Sequence, residues 1–433
     1  MKTVAFHTLG CKVNQYETEA MEELFIKNDY SIVNDDETAD VYVINTCTVT
    51  NLSDRKSRQF IRKSKKLNPD SIVAVVGCYS QVSPHEVEKI DDVDVIIGTT
   101  ERNKIVELCE KAKEDNKRIN IVRNIKTQKE FEKINIDDVK SKTRAYIKIQ
   151  DGCNQFCSYC IIPYARGPIR SRNLDEIITE TEKLSGAGFK EVVLAGIHVA
   201  SYGKDLKEIS LNNVIEAISK CDGIERIRLS SVEPNLINDS FMETLMKSTK
   251  VCDHFHLSLQ SGSNSVLKRM NRKYTREEYK DKVDLIRKYM PNAGLTTDII
   301  VGFPGETEEE YNETYEFVKE IGFSRIHVFK YSRRKGTPAA EYSEQIDGTI
   351  KSQRSEKLIL LGDKLTKEFN KMFINSNMKV LYEEKSKDGN RVLEGYTTNY
   401  IRVKSIGNDD IMGKIGDTKI IGMEDEFLIG MLD

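Results

Sequence analysis

Cys153-Asn154-Gln155-Phe156-Cys157-Ser158-Tyr159-Cys160 places three thiols at spacings of four and three residues, close enough to share one tight loop. Thiolates are soft ligands that select iron–sulfur clusters, zinc or cuprous copper. A cubane cluster takes four cysteines when every iron is closed, so three leave one iron open for chemistry. A zinc knuckle that draws its fourth ligand from elsewhere is the structural alternative. Working outward, the chain from Arg144 repeats strand then helix six times. The strands fall near Ala145–Gln150, Glu191–Ala195, Ile224–Ser230, His254–Leu259, Leu295–Val301 and Arg325–Lys330. Helical patterns between them include Leu174–Ser185, Leu211–Ser219, Thr275–Tyr289 and Thr307–Ile321. Asn173 with Glu176, and Thr307 with Glu310, have capping-box spacing. Repeated strand–helix units imply a parallel barrel, whose active site lies at the strand carboxyl ends. The three-thiol loop follows the first strand, where that rule puts it.

Cys153, Cys157 and Cys160, with Tyr159 just before the last thiol, resemble the signature of radical S-adenosylmethionine enzymes. The flanks, Arg144 to Cys153 and Ile161-Ile-Pro-Tyr-Ala-Arg-Gly-Pro-Ile-Arg-Ser-Arg172, are similar to the methylthiotransferase branch. The resemblance implies a partial (β/α)6 barrel over 143–370 and a [4Fe–4S] cluster on these thiols, with S-adenosyl-L-methionine on the open iron. It also points to residues at the other strand ends as cofactor contacts. These are Tyr159, Gly196, Glu233, Gln260 and Gly302, with Arg272 placed to pair with a carboxylate. His198, His254 and His256 read as satisfied polar residues at strand ends, not metal ligands.

Residues 1–112 form an expected first domain. Thr3–Leu9, Asp40–Ile44, Ile72–Gly77 and Val93–Ile97 are apolar strand runs, separated by helical stretches such as Glu17–Asn28 and Asn103–Lys113. Continuous apolar strands alternating with helices imply a doubly wound parallel sheet. Cys11, Cys47 and Cys78 each follow a strand, 36 and 31 residues apart. Ligands of open α/β sheets bind at the strand carboxyl ends, so the three converge on one edge. Thr8-Leu-Gly-Cys-Lys-Val-Asn-Gln-Tyr-Glu-Thr18 and Asn45-Thr-Cys-Thr-Val-Thr50 resemble the amino-terminal domain of methylthiotransferases, in which these cysteines hold a second, auxiliary [4Fe–4S] cluster with an open iron. Within the family these segments are most similar to the subgroup acting on N6-threonylcarbamoyladenosine in tRNA. Cys109 lies on a helical apolar stripe, and Cys221 and Cys252 near helix ends; all three read as structural. Arg55, Lys56, Arg58, Arg62, Lys63, Lys65 and Lys66 are opposed only by Asp54; they form either a solvated face or a phosphate-binding strip.

Residues 113–142 are polar and charged and read as a linker. After a helix over Ile350–Phe373, residues 371–433 carry short strands at Met378–Glu383, Val392–Tyr396, Ile401–Lys404, Thr418–Gly422 and Phe427–Gly430. They imply a small β-barrel that resembles the RNA-binding TRAM domain. Its charge departs from that pattern, with eight Lys/Arg against eleven Asp/Glu over 377–433. A contact in which Tyr396 or Tyr400, helped by Arg402 and Lys404, stacks on a base is the expectation there.

The chain of 433 residues has 39% hydrophobic and 31% charged content and a net charge of −3. It has no apolar run near the ~18 residues of a membrane span and no signal-peptide pattern at its start. An odd set of nine cysteines without secretion signals points to a reducing cytoplasm and to metal use. The expected function is tRNA modification at position 37: adenine C2–H becomes C2–SCH3 through a 5′-deoxyadenosyl radical made at the first cluster, with sulfur held at the second. The partners implied are the tRNA anticodon stem-loop, an external electron donor and a sulfur source, with no membrane. The alternatives are another tRNA adenosine, a ribosomal-protein aspartate, or a non-catalytic iron–sulfur RNA-binding regulator.

Overall fold

The computed structural model describes residues 2–134, 143–386 and 391–432. The amino-terminal unit is a six-stranded parallel sheet, formed by β1 (Lys2–Thr8), β2 (Tyr30–Val33), β3 (Val41–Thr46), β4 (Ile72–Gly77), β5 (Val95–Ile96) and β6 (Ile119–Asn120) in the order 2-1-3-4-5-6. All six residues of β3 and of β4 are buried, as interior parallel strands require when helices cover both faces. One apolar cluster gathers Met21, Phe25, Ile105 and Leu108 on one face, and another gathers Tyr42, Ile61, Val73 and Val87 on the other. The doubly wound expectation holds. Two edge strands, β2 and β6, are too short to stand out in sequence. The second lies in the stretch read as linker, whose residues 135–142 fall outside the described residues.

The central unit has six parallel strands in chain order: β7 (Arg144–Asp151), β9 (Glu191–Gly196), β10 (Arg226–Leu229), β12 (His254–Leu257), β13 (Gly294–Val301) and β14 (Arg325–Lys330). Two short strands, β8 (Arg170–Ser171) and β11 (Ser231–Val232), accompany them. They form two four-stranded sheets, β10-β9-β7-β8 and β11-β12-β13-β14, bridged in parallel at Ile227 and Val251. This is the open, partial barrel. Strand alternation sends Ala145, Ile147 and Ile149 outward into the helix-covered core and leaves Arg144, Lys148 and Gln150 on the lumen side. The Thr307–Glu310 capping box is present. The one expected at Asn173 is not: the Asn173 side chain takes the Asp175 N–H instead, and Glu176 turns to Lys133 at 2.8 Å. With Glu176 drawn to Lys133, the reciprocal half of the box is lost and the Asn173 amide closes a shorter turn on its own.

The helix Gly348–Lys371 leads to a closed five-stranded barrel of β15 (Asn377–Lys385), β16 (Val392–Thr397), β17 (Arg402–Ile406), β18 (Ile415–Glu424) and β19 (Phe427–Leu432), in the order 15-16-17-19-18. It closes the mouth of the central barrel at the strand amino ends. Arg226 donates to Tyr396 O at 2.9 Å and Lys379 O at 2.7 Å, and Arg228 to Thr398 O at 2.9 Å. The rings expected to stack on RNA are already spent there. Tyr400 stacks on Tyr396 at 4.8 Å and lies 4.7 Å from the His254 ring, with the Arg228 guanidinium 4.6 Å from its centroid. Arg402 pairs with Glu394 at 3.0 Å and Glu426 at 3.1 Å. The aromatic pair thus joins the two barrels, and a base stacking there would have to compete with these contacts.

Candidate active site: two sets of three thiols at strand carboxyl ends

The loop after β7 is pinned from several sides. Gly152 has φ +74°, and a Cβ there would stand 1.9 Å from the Pro168 carbonyl oxygen, so only glycine fits. Cys153 N–H donates to Gly167 O at 3.0 Å, Ser158 N–H to Met270 O at 3.0 Å, and Ala339 N–H to Ser158 O at 2.8 Å. Arg272 Nη1 lies 3.3 Å from Cys157 Sγ. Its other nitrogen reaches Glu233 at 3.1 Å, and Glu233 also takes His198 Nε2 at 2.8 Å and Gln155 Nε2 at 3.0 Å. Glu233 and Arg272, singled out from sequence, thus meet in one network, which also recruits His198 and Gln155. Burial works against the Glu233 charge, yet His198 and Arg272 hold its carboxyl below the usual range. Burial, reinforced by neighbouring thiols, pushes Cys153 up to about 11 and Cys160 up to about 12. Such thiols shed protons near neutral pH when a cation takes their charge.

The remaining sequence candidates divide. Tyr159 packs with Val266, Met270, Phe303 and Tyr331, a supporting position under the loop. A Cβ on Gly196 would come within 3.0 Å of Gln150 Oε1, and that oxygen accepts the His198 N–H at 2.7 Å. Gln150 also donates to Asp151 O and Gly152 O, both at 2.7 Å. Sequence reading passed it over, although a polar residue in lumen register at the end of the first strand was a usable signal. Gln260 holds φ +69° at the carboxyl end of β12, a conformation costly for a residue with a Cβ and concentrated at functional sites. Gly302 is placed differently. Its N–H donates to Glu306 at 2.7 Å, and a Cβ there would strike the Lys351 stem at 2.3 Å. Its missing side chain and φ of +68° leave room for that stem.

The second set lies at the carboxyl edge of the first sheet. Register pairs Thr8 with Asn45 and Thr46 with Gly77, which levels the loops that carry Cys11, Cys47 and Cys78. Gly10, at φ +115°, brings its backbone so close to Cys47 that a Cβ would sit 3.3 Å from the sulfur. Cys11 heads the helix α1 (Lys12–Lys27) and makes no capping bond with its side chain. Burial, with Cys11, raises Cys47, and burial with both Cys47 and Cys11 pushes Cys78 up to about 12. Arg166, six residues beyond Cys160, places Nε 3.3 Å from Cys78 Sγ and Nη2 2.6 Å from Asn14 Oδ1. One arginine therefore spans from the segment after the first thiol set to a thiol of the second. Cys109 lies in the apolar core, and Cys221 and Cys252 are likewise buried.

All nine cysteines are free thiols. Among the described residues no three His, Cys, Asp or Glu side chains are grouped to hold one metal ion. The two sets offer sulfur alone on strand-end loops, each with an arginine beside one thiol, a soft and charge-compensated donor set that fits an iron–sulfur cluster.

The chain matches the Radical SAM superfamily over residues 147–318 and the uncharacterized protein family UPF0004 over residues 3–98. Threonylcarbamoyladenosine tRNA methylthiotransferase MtaB of Bacillus subtilis (strain 168) is 46% identical over 97% of this chain and 94% of its own length. The protein of the same name in Aquifex aeolicus (strain VF5) is 40% identical over 95% and 98%. The tRNA-2-methylthio-N(6)-dimethylallyladenosine synthase of Clostridium tetani (strain Massachusetts / E88) is 39% identical over 96% and 93%. Among solved structures, the radical S-adenosylmethionine methyltransferase TsrM from Kitasatospora setae superposes with TM-score 0.59 at 14% identity, over 78% of this chain and 77% of that one, a likeness of fold. With both thiol sets on matched domains and near full-length identity to these relatives, the chain belongs to the radical S-adenosylmethionine methylthiotransferase family.

Proposed function

We propose that this radical S-adenosylmethionine methylthiotransferase converts N6-threonylcarbamoyladenosine at position 37 of tRNA to its 2-methylthio derivative. The identity to the two MtaB proteins, which exceeds that to the dimethylallyladenosine synthase, carries the choice of base. The cofactors of the family are two [4Fe–4S] clusters and S-adenosyl-L-methionine, which together supply one-electron cleavage, a hydrogen-abstracting radical and a methylated sulfur.

In this reading Cys153, Cys157 and Cys160 hold the radical-forming cluster, and Cys11, Cys47 and Cys78 the sulfur-bearing one. Arg272 places a fixed positive charge against Cys157 and orients Glu233, whose carboxylate lies among His198 and Gln155 at the strand ends and is suited to a cofactor amine or ribose hydroxyl. Gln150 fixes the backbone of His198 and of the first cluster loop together. Arg166 does the same for Cys78, so residues of one unit set the spacing between the two clusters. Each domain has its role here: 1–112 delivers sulfur, 143–370 makes the radical, and 371–433 closes the barrel floor. Electrons and replacement sulfur come from external donors in the cytoplasm. Among the described residues no helix is long and apolar enough to cross a membrane.

The test is nucleoside mass spectrometry of tRNA from a strain lacking the gene, with and without the gene restored. The 2-methylthio form of threonylcarbamoyladenosine should vanish and return. Loss of the dimethylallyl derivative instead would move the substrate to the other subgroup. Anaerobically purified protein should carry about eight irons per chain, four for each cubane; about four would remove the sulfur-bearing site.

A further inference from the structure

The lumen of the central barrel holds polar groups that neither cluster loop uses. Lys12 directly follows Cys11, and its electrostatic surroundings are dominated by Tyr400, Arg144, Arg228 and Glu191. Both carboxylates near these arginines are already engaged: Glu191 takes Arg228 at 2.7 and 3.3 Å, and Glu383 takes Arg144 at 2.7 Å. Among the described residues Lys12 forms no hydrogen bond or ion pair. Its charge also acts on His254 and His327 of the strands opposite.

His254 is only 4% exposed, and its Nδ1 has no partner. Its Nε2 lies 3.2 Å from Thr296 Oγ1, a hydroxyl shared with His256 at 3.0 Å, while Asp298 is taken by His256 at 3.3 Å. A buried imidazole nitrogen without a hydrogen bond is costly, and the partly buried Lys12 ammonium has no carboxylate of its own. A small anion that also carries a hydrogen-bonding group would satisfy both.

The proposed substrate brings such a group. A threonylcarbamoyl substituent ends in a carboxylate beside a hydroxyl, whereas an isopentenyl substituent offers neither. Because Lys12 adjoins Cys11 in the chain, a base presented to the second thiol set comes close to the Lys12 side chain. We propose that Lys12, with His254 on the facing wall, binds the carboxylate of the N6-threonylcarbamoyl group and sets the preference for that base over an apolar N6-modified adenosine. This assignment rests on the substrate reading above.

Full-length, cluster-reconstituted protein would be titrated by fluorescence anisotropy with anticodon stem-loops carrying threonylcarbamoyladenosine, its carboxyl methyl ester or plain adenosine. Wild type should bind the acid at least tenfold more tightly than the ester. Lys12→Met should erase that difference with iron per chain unchanged, and Lys12→Arg should restore most of it. Equal binding of acid and ester by wild type, or a difference that survives in Lys12→Met, overturns the assignment. If wild type thiomethylates the acid but shows no ester penalty, only the lysine assignment falls; if it fails to thiomethylate the acid at all, the substrate reading falls.

Discussion

Arg272 reaches the first cluster loop from a segment more than a hundred residues away and touches both Cys157 and Glu233. Residues that orient ligands in this way typically carry 10–100-fold of affinity or activity. Arg272→Ala is therefore expected to lower 5′-deoxyadenosine formation by roughly 10–100-fold, and Arg272→Lys, which keeps the charge but loses the fork, should recover part of it. Product formation at the wild-type rate in the alanine variant would remove the residue from the site. His254 makes a different kind of claim. Burial, with Arg228, Lys12, His256 and Arg144 around it, holds its imidazole well below 6.5 and hence neutral. Unfolding frees it to bind a proton below about pH 6.5, so stability is full above that pH and falls as pH drops, by up to ~1.4 kcal/mol per pH unit. His7 and His327, also lowered chiefly by burial, add to the same trend. His254→Gln should reduce the loss between pH 6.5 and 5.5 by about 1 kcal/mol in urea unfolding; an unchanged slope would mean the group is charged in the fold.

The helix α2 (Asn51–Leu67) shows how one element divides its charges. Thr50 caps it by accepting the Ser53 N–H, and Asp54 turns inward to Arg334 at 2.7 Å. Arg58 donates to the Tyr79 hydroxyl at 3.0 Å and Lys65 pairs with Asp94 at 3.0 Å, which takes them out of the basic face. Arg55, Lys56, Arg62 and Lys66 remain exposed, along a helix whose amino end is seated on the central unit through Asn51 and Arg334 at the side of the second thiol set. If this face meets tRNA phosphates, each contact contributes ~0.7–0.9 to the slope of log affinity against log salt. Arg62→Gln with Lys66→Gln should flatten that slope by about 1–2, without changing which base is modified. An unaltered slope would make the face merely solvated.

Across the whole molecule, the amino-terminal unit and the barrel are locked by a buried charge network. Glu17, 2% exposed, takes Arg102 at 2.7 Å, Lys148 at 2.7 Å and Arg166 Nη2 at 3.0 Å, and Lys148 also holds Asp151 at 2.7 Å. Burial opposes the Glu17 charge, but Arg102, Arg166 and Lys148 outweigh it and bring its carboxyl down to about 2. Removing one partner of such a network strands the others, at a cost of ~3–5 kcal/mol. Glu17→Gln should show that loss in the urea midpoint together with weakened iron retention, because Arg166 also holds Cys78; a neutral result would mean the units dock through apolar contacts alone. The sequence by itself determined the strand–helix alternation, the two thiol triplets at strand ends and the closing small barrel. Those follow from local pattern and from the rule that parallel strands open their ligand sites at one edge. It also exposed Glu233 and Arg272 as candidates. Only the tertiary structure decided that the Gly302 backbone abuts Lys351, that Tyr400 plugs a barrel floor, and that Gln150 and Arg166 reach the thiol-bearing loops. Their partners lie 48 and 88 residues distant, and such pairings are set by register and by the seating of one unit on another, which no local pattern encodes.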